Sequence, residues 1–159
     1  MSAPSGQELV VMVGLQGSGK STYVREHLAG THTVVSKDHW PRARRREARQ
    51  QRVVTAALAA GHSVVVDNTS PSPGDRAPSV AVARAAGVPV RAVWLDTPLE
   101  VCLGRNDARE ARARVPLVGV YATRARLVPP DTAEGFDRVD VVRGGVRDVV
   151  RGGGTRPGG

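Results

Sequence analysis

The chain has 159 residues and a formal net charge of +8, with 40% hydrophobic and 24% charged residues. This length and balance fit one globular domain with a hydrophobic core, and no apolar run approaches the roughly 18 residues of a membrane span. Because the first residues also lack the basic and apolar segments of a signal peptide, we expect a cytoplasmic protein with no membrane contact.

In chain order, apolar runs alternate with segments of helical periodicity. Strands are predicted over residues 9–13, 33–36, 62–67, 88–95 and 136–142, and helices over 22–29, 42–60, 76–86, 98–110 and 117–127. This alternation predicts an α/β fold with a mostly parallel five-stranded sheet flanked by helices. One domain is expected over residues 8–143, between a flexible N-terminal arm (1–7) and a flexible Gly/Arg-rich tail (144–159).

The segment after the first strand matches the pattern G-x-x-x-x-G-K-[ST] of loops that bind nucleotide phosphates. Backbone N–H groups of such a loop surround an anion at the start of the following helix. Lys20 can reach the β- and γ-phosphates, and the Ser21 hydroxyl can bind Mg²⁺. We therefore expect ATP and Mg²⁺ as ligands, with the nucleotide held by Gly14, Leu15, Gln16, Gly17, Ser18, Gly19, Lys20, Ser21 and Thr22.

Two aspartates follow the next two strands, where the loops of a parallel sheet converge on one cleft. Asp67 ends a valine-rich strand and is expected either on the magnesium side of the site or as a cap for the following turn. Asp38 is a candidate base that takes the proton of an acceptor hydroxyl. The alternative for Asp38 is capping of a helix that begins near Pro41.

Arginine supplies nearly all of the positive charge, since only Lys20 and Lys37 are lysines. Arg105 and Arg109 lie four residues apart and are expected on one helix face. They are interpreted as a lid that closes on the transferred phosphoryl group, or alternatively as a solvated basic surface. The basic balance favours a polyanionic partner such as nucleic acid, although the coding bias of a GC-rich genome would give the same composition.

The chain resembles the 5′-kinase domain of the polynucleotide kinase family over about residues 8–142. The stretches that carry the resemblance are the phosphate loop at 14–22, Ser36-Lys37-Asp38, Asp67-Asn68-Thr69 with Pro71, residues 85–89 (Ala-Ala-Gly-Val-Pro), Arg105-Asn106-x-x-Arg109, Val115-Pro116 and residues 133–137 (Ala-Glu-Gly-Phe-Asp). The phosphate loop is common to many families, whereas the later motifs together are far more selective.

The resemblance implies a P-loop kinase fold with a short arginine-bearing lid, and ATP-dependent phosphorylation of a 5′-hydroxyl of DNA or RNA. It implies the roles of general base for Asp38 and of γ-phosphate contact for Arg109. Arg105 is then near the nucleotide, while Asp67, Asn68 and Thr69 line the acceptor cleft. Such kinases can work alongside separate ligases or phosphatases, which are the partners that the resemblance implies.

The acceptor side departs from the family pattern. Phage members of the family carry an arginine three residues after the base, where this chain has Pro41. Arg42, Arg44 or Arg45 could replace it in contacting the acceptor phosphate. Trp40 could stack on an acceptor base, or it could pack in the core.

Two other functions remain open on the same scaffold. One is a kinase for a small molecule, such as a sugar acid, a nucleoside or an antibiotic. The other is a nucleotide-binding module without turnover, which would have no need of a base at Asp38.

Overall fold

A six-stranded sheet forms the centre of residues 6–150, the part of the chain that the computed structural model describes. Its strands are β1 (Leu9–Val13), β2 (His32–Val35), β3 (Ser63–Val66), β4 (Val90–Leu95), β5 (Arg138–Arg143) and β6 (Val146–Val150). They lie in the order β2-β3-β1-β4-β5-β6, and the first five strands in the chain are parallel. The mostly parallel α/β fold predicted from the sequence is therefore confirmed.

Helices connect the parallel strands. They are α1 (Lys20–His27), α2 (Arg46–Ala59), α3 (Pro73–Ala86), α4 (Leu99–Asp107) and α5 (Leu117–Arg126), with short 3₁₀ turns at Lys37–His39 and Thr132–Glu134. The start of α3 shows how local sequence fixes a boundary. Ser72 and Asp75 form a reciprocal capping box, and Pro73 occupies the first helical turn, where its missing N–H costs nothing. None of the helices in residues 6–150 is long and apolar enough to cross a membrane.

The central strand β1 is buried at every position because helices cover both faces of the sheet. Its alternate side chains enter two separate cores. Leu9, Val11 and Val13 pack with side chains of α2 and α3, and Val10 and Met12 pack with side chains of α1. Packing on both faces fixes where β1 ends, and so fixes the start of the phosphate loop.

The strand β6 is the main difference from the predicted sheet. It runs antiparallel to β5 after a turn in which Gly144 and Gly145 have φ of 54° and 80°. The sequence predicted a flexible tail from residue 144, because β6 is exposed at all five positions and carries no burial signal. The rest of that predicted tail, residues 151–159, lies outside the described residues.

The predicted N-terminal arm also ends earlier than expected. Residues 1–5 lie outside the described part, whereas Gln7 is buried. Its side-chain amide donates hydrogen bonds of 2.9 Å to Leu58 O and 3.0 Å to His62 O. Gln7 therefore belongs to the folded domain and joins the end of α2 to the sheet.

Candidate active site

The carboxyl ends of β1, β2 and β3 bring together three of the predicted site residues. Lys20, Asp38 and Asp67 follow these strands and line one cavity of about 700 Å³. This convergence follows from the parallel strand directions, as predicted. Below, this space is called the acceptor-side cavity.

The phosphate loop, residues 14–21, leaves β1 and enters α1. Gly17 and Gly19 have φ of 78° and 101°, values that favour glycine. A Cβ at Gly17 would also overlap the Cys102 carbonyl, so the loop can lie against α4 only without a side chain there. Ser18 Oγ is buried and has no hydrogen-bond partner among residues 6–150. The loop thus presents a tight turn and an unpaired hydroxyl, which fit a phosphate group.

Lys20 is 9% exposed and lies along this loop. Its Nζ donates hydrogen bonds of 3.0 Å to Gly14 O and 2.8 Å to Leu15 O. Burial lowers the pKa of the Lys20 ammonium to about 8, while the Asp67 charge acts in the opposite direction and Arg109 lowers the pKa further. An anion bound at the loop would favour the charged form of this lysine.

Ser21 and Asp67 form the oxygen-rich part of the site. Ser21 Oγ donates a 3.0 Å hydrogen bond to Asp67 Oδ2. Burial raises the pKa of the Asp67 carboxyl, although the Ser21 hydrogen bond and the Lys20 charge oppose that shift. A serine hydroxyl beside a carboxylate is a donor set that suits Mg²⁺, so the residues present fit that ion.

Asp38 lies in the 3₁₀ turn that follows β2. Ser36 Oγ accepts a hydrogen bond of 3.2 Å from the Asp38 N–H and thereby caps this turn. The Asp38 carboxylate is exposed and has no hydrogen-bond or ionic partner among residues 6–150. It does not cap α2, because that helix begins at Arg46, after a turn at residues 41–45. The Asp38 carboxylate therefore lines the acceptor-side cavity without a partner among residues 6–150.

Asn68 and Thr69 form hydrogen bonds with other residues of the chain. Asn68 Oδ1 accepts a 3.0 Å hydrogen bond from the Lys37 N–H, and its Nδ2 donates a 2.8 Å hydrogen bond to Gln50 Oε1. Thr69 O accepts a 3.0 Å hydrogen bond from the Gly14 N–H. Both residues line the acceptor-side cavity. The Asn68 amide was predicted to contact substrate. In the structure its oxygen instead accepts a hydrogen bond from the backbone next to Asp38.

The two lid arginines do not share a helix face, because α4 ends at Asp107 rather than near residue 110. Arg105 is on the helix, with Nη1 3.4 Å from Gly17 O. Arg109 lies in the loop beyond it. Buried Asn106 closes that loop, since its Nδ2 donates to Val115 O at 2.7 Å and its Oδ1 accepts from the Val115 N–H at 2.9 Å.

A second cavity, of about 1040 Å³, is lined by Gly17, Ser18 and Gly19 of the phosphate loop and is called the donor-side cavity. Thr22 and Arg105, the residues predicted near the nucleotide, line it. Arg109 lines both cavities. The donor side is also lined by Gly144 and Gly145 of the β5–β6 turn and by Arg147 of β6. This wall could not be predicted from the sequence, because it falls in the predicted tail.

The predicted acceptor residues near Trp40 are arranged differently from expectation. Trp40 packs against the core, with the Arg49 guanidinium 4.6 Å from its ring centre. This arrangement favours the packing alternative over base stacking. Neither Trp40 nor any of the three predicted arginines, Arg42, Arg44 and Arg45, lines the acceptor-side cavity, whereas Arg46 does. The turn at 41–45, with Arg45 at φ 57°, carries those arginines away from it.

Arg76 was not singled out from the sequence. Its side chain is fully buried and forms paired hydrogen bonds of 2.8 and 2.9 Å with Glu134. The remaining donors reach the carbonyls of Ser70, Pro71 and Val128. Glu134 belongs to the Glu-Gly-Phe motif, so this part of the motif holds the loop after β3. The sequence feature that could have identified Arg76 is an arginine on the helix face that also carries Val80 and Ala83.

The strand order, the phosphate loop and the two cavities that meet at it define the class of P-loop kinases, which confirms the class predicted from the sequence. A family model described as an AAA domain (AAA_33) matches residues 9–130. The chain belongs to that family.

Individual relatives carry more specific names. The chain is 31% identical over 146 residues to a protein of Acanthamoeba polyphaga mimivirus assigned as a bifunctional polynucleotide phosphatase/kinase, a match that covers 87% of this chain and 34% of that protein. The chain therefore spans about a third of the length of the curated relatives it matches.

Solved structures with the same fold include different kinases. The Pnkp1/Rnl/Hen1 RNA repair complex contains a chain with a TM-score of 0.66 and 22% identity, matched over 76% of this chain and 44% of that one. The Mycobacterium tuberculosis APS kinase CysC, solved with AMPPNP and APS, has a TM-score of 0.52 and 29% identity, over 70% of this chain and 75% of that one. The fold is thus shared with a chain of an RNA repair complex and with an APS kinase.

Proposed function

We propose that the chain transfers the γ-phosphoryl group of ATP to the 5′-hydroxyl end of a polynucleotide, either DNA or RNA. The observation that carries this proposal is that two cavities are both lined by phosphate-loop residues and that Arg109 lines both. A donor in one cavity and an acceptor in the other can therefore both reach a group transferred beside Arg109, and in-line phosphoryl transfer requires such a meeting of two ligands.

Each residue has a defined task in this reaction. Lys20 and the N–H groups of the loop hold the β- and γ-phosphates, and Asp38 accepts the proton of the attacking hydroxyl. The new bond joins that hydroxyl oxygen to the γ-phosphorus. The bond from the γ-phosphorus to the β–γ bridging oxygen breaks, and ADP leaves. Arg109 stabilises the charge on the transferred group.

Ser21 and Asp67 are the residues that would hold Mg²⁺, which when bound supplies charge neutralisation at the β- and γ-phosphate oxygens. Their contribution is to place two oxygen ligands beside Lys20. Because Ser21 Oγ already donates to Asp67 Oδ2, the two ligands are held in position before any ion binds.

The charge of the acceptor-side cavity supports a polyanionic acceptor. Arg46 lines the cavity, together with Arg112, which is paired with Glu110, and Arg126, which is paired with Asp75. Arg46 forms no ion pair among residues 6–150, and its Nη1 lies 3.4 Å from Lys37 O. Positive side chains without acidic partners are suited to phosphate contacts, which dominate nucleic-acid affinity. The name of the mimivirus relative points to the same substrate class. Separate ligases or phosphatases in a shared cytoplasmic repair process are proposed as partners.

A small-molecule kinase is the second candidate, and one observation favours it. The acceptor-side cavity of about 700 Å³ is within the size range of sites that bind small ligands. The APS kinase and this chain also share the fold. A binding module without turnover is less well supported, because it has no use for the free Asp38 carboxylate.

A panel of acceptors separates these functions. Transfer of labelled γ-phosphate from ATP is measured with 5′-hydroxyl DNA, 5′-hydroxyl RNA, the same oligonucleotides with a 5′-phosphate, APS and simple sugars. The proposal predicts label only on the 5′-hydroxyl oligonucleotides, with an acceptor KM that rises steeply with added salt. Label on a small molecule alone, with no salt dependence, would replace the proposal with the second candidate.

A further inference from the structure

The turn that carries Asp38 is hydrogen-bonded to the loop after β3 through the side chain of Asn68. Asn68 Oδ1 accepts hydrogen bonds from the Lys37 N–H at 3.0 Å and from Ser36 Oγ at 3.4 Å. Ser36 Oγ in turn accepts the Asp38 N–H. Because the Asp38 carboxylate has no partner of its own among residues 6–150, its position depends on how this turn is held. Besides Asn68, the turn is held through Lys37, whose carbonyl lies 3.4 Å from Arg46 Nη1 and whose ammonium pairs with Glu47.

Gln50 ties the Asn68 amide to α2. It lies on that helix, is 4% exposed, and accepts the hydrogen bond from Asn68 Nδ2 through Oε1 at 2.8 Å. The Lys37 N–H can only donate, so it requires the Asn68 oxygen on its side and directs the Asn68 NH₂ group toward Gln50. Gln50 therefore supplies the second contact that holds Asn68 in the orientation in which it supports the Asp38 turn.

We infer that Gln50 is a positioning residue for phosphoryl transfer, which acts through Asn68 to hold the Asp38 carboxylate in the acceptor-side cavity. This inference rests on the proposed function, in which Asp38 is the base. Gln50 on α2 contacts Asn68 in the loop after β3, and Asn68 contacts the turn after β2 that carries Asp38. Gln50 also lines the cavity, but the inference assigns it no contact with the reacting atoms.

A positioning role predicts a loss of turnover without a loss of nucleotide binding. Gln50→Met keeps the length of the side chain and removes the acceptor for Asn68 Nδ2. Small displacements of a reacting group have large costs, so we expect kcat to fall by about 10- to 100-fold. The KM for ATP should stay unchanged, because Gln50 does not line the donor-side cavity.

Two matched variants separate positioning from packing. Gln50→Glu keeps an acceptor oxygen at the same place but adds a carboxyl group to a cavity that already holds Asp38 and Asp67, so it is used to test the Asn68 hydrogen bond and not kcat. Gln51→Met makes the same change as Gln50→Met one residue further along α2, where the side chain bonds only Glu47, at 3.4 Å, and it should leave kcat unchanged. A Gln50→Met enzyme with wild-type kcat, or a Gln51→Met enzyme as slow as Gln50→Met, would overturn the inference.

Nuclear magnetic resonance provides a test that does not depend on the acceptor. The side-chain NH₂ signals of Asn68 should exchange slowly with solvent in the wild type and in Gln50→Glu, and quickly in Gln50→Met. If the wild type binds ATP but phosphorylates no oligonucleotide, the proposed function is wrong. The exchange of the Asn68 signals then still shows whether Gln50 holds the Asn68 amide. Fast exchange in the folded wild type would overturn the inference, even if Gln50→Met failed to fold.

Discussion

Ser21 Oγ donates a 3.0 Å hydrogen bond to Asp67 Oδ2, although the two residues are 46 positions apart in the chain. Ser21 is in the first turn of α1, and Asp67 directly follows β3. Their contact joins the phosphate loop to the neighbouring strand and creates the oxygen pair proposed for Mg²⁺. Asp67, at the end of β3, thus belongs to the same site as the phosphate loop.

Asp67→Asn tests this oxygen pair. The amide keeps an acceptor for Ser21 Oγ but removes the negative charge, so we expect the Mg²⁺ concentration for half-maximal transfer to rise by about tenfold or more. The measurement is phosphate transfer as a function of Mg²⁺ at saturating acceptor. An unchanged magnesium dependence would show that Asp67 supports the loop without helping to hold the ion.

The buried Lys20 predicts a pH dependence of nucleotide affinity. Since burial lowers the pKa of Lys20 to about 8, the free protein loses this proton above pH 8, whereas bound phosphates favour the charged form. Affinity for ATP should therefore fall as the pH rises above that value, by up to about tenfold per pH unit. Calorimetric titration between about pH 7 and pH 9.5 measures the effect.

Lys20→Arg is the control for this profile, because arginine stays charged throughout that range. Its affinity for ATP should be lower than that of the wild type but independent of pH. A wild-type affinity that is constant over the same range would show that the charge on Lys20 does not change there.

Arg46 is expected to contact an acceptor phosphate. Arg46→Ala should raise the KM for a 5′-hydroxyl oligonucleotide and reduce the slope of log affinity against log salt by about 1, leaving the KM for ATP unchanged. Arg42→Ala removes the same charge from the turn at 41–45, which does not line the cavity. Equal effects of the two variants would mean that general basicity, rather than a defined contact, attracts the acceptor.

The buried pair of Arg76 and Glu134 predicts a large stability effect. Glu134→Gln leaves the Arg76 charge buried without its carboxylate, so the free energy of unfolding should fall by about 3–5 kcal/mol. Arg126→Met breaks an ion pair in which Arg126 is 59% exposed, and should cost no more than about 1 kcal/mol. Urea denaturation measures both values. Equal losses would show that the buried pair adds nothing beyond a surface pair.

Much of the fold and the donor half of the site could be predicted from local signals. The phosphate loop has a fixed spacing and follows the apolar strand β1, and Asp67 follows the valine run of β3. The convergence of Lys20, Asp38 and Asp67 then followed from the parallel topology. Strand β6 could not be predicted, because an exposed edge strand has no apolar periodicity. Its pairing with β5 supplies the missing stabilisation.

The acceptor half depends on contacts that no local pattern encodes. The left-handed Arg45 delays α2 and turns Arg46, rather than Arg42, toward the cavity. Asn68 was predicted at the site, but its link to Gln50 joins residues 18 positions apart on different elements. Such tertiary hydrogen bonds leave no periodic trace in the sequence.

The central claim is that Asp38 accepts the proton of a 5′-hydroxyl while ATP is held by the phosphate loop. The most direct test compares γ-phosphate transfer to a 5′-hydroxyl oligonucleotide by the wild type and by Asp38→Asn, at equal nucleotide occupancy. We predict transfer by the wild type and a loss of about 100-fold or more in Asp38→Asn, with unchanged affinity for ATP. Full transfer by Asp38→Asn, or no transfer by an ATP-bound wild type, would contradict the claim.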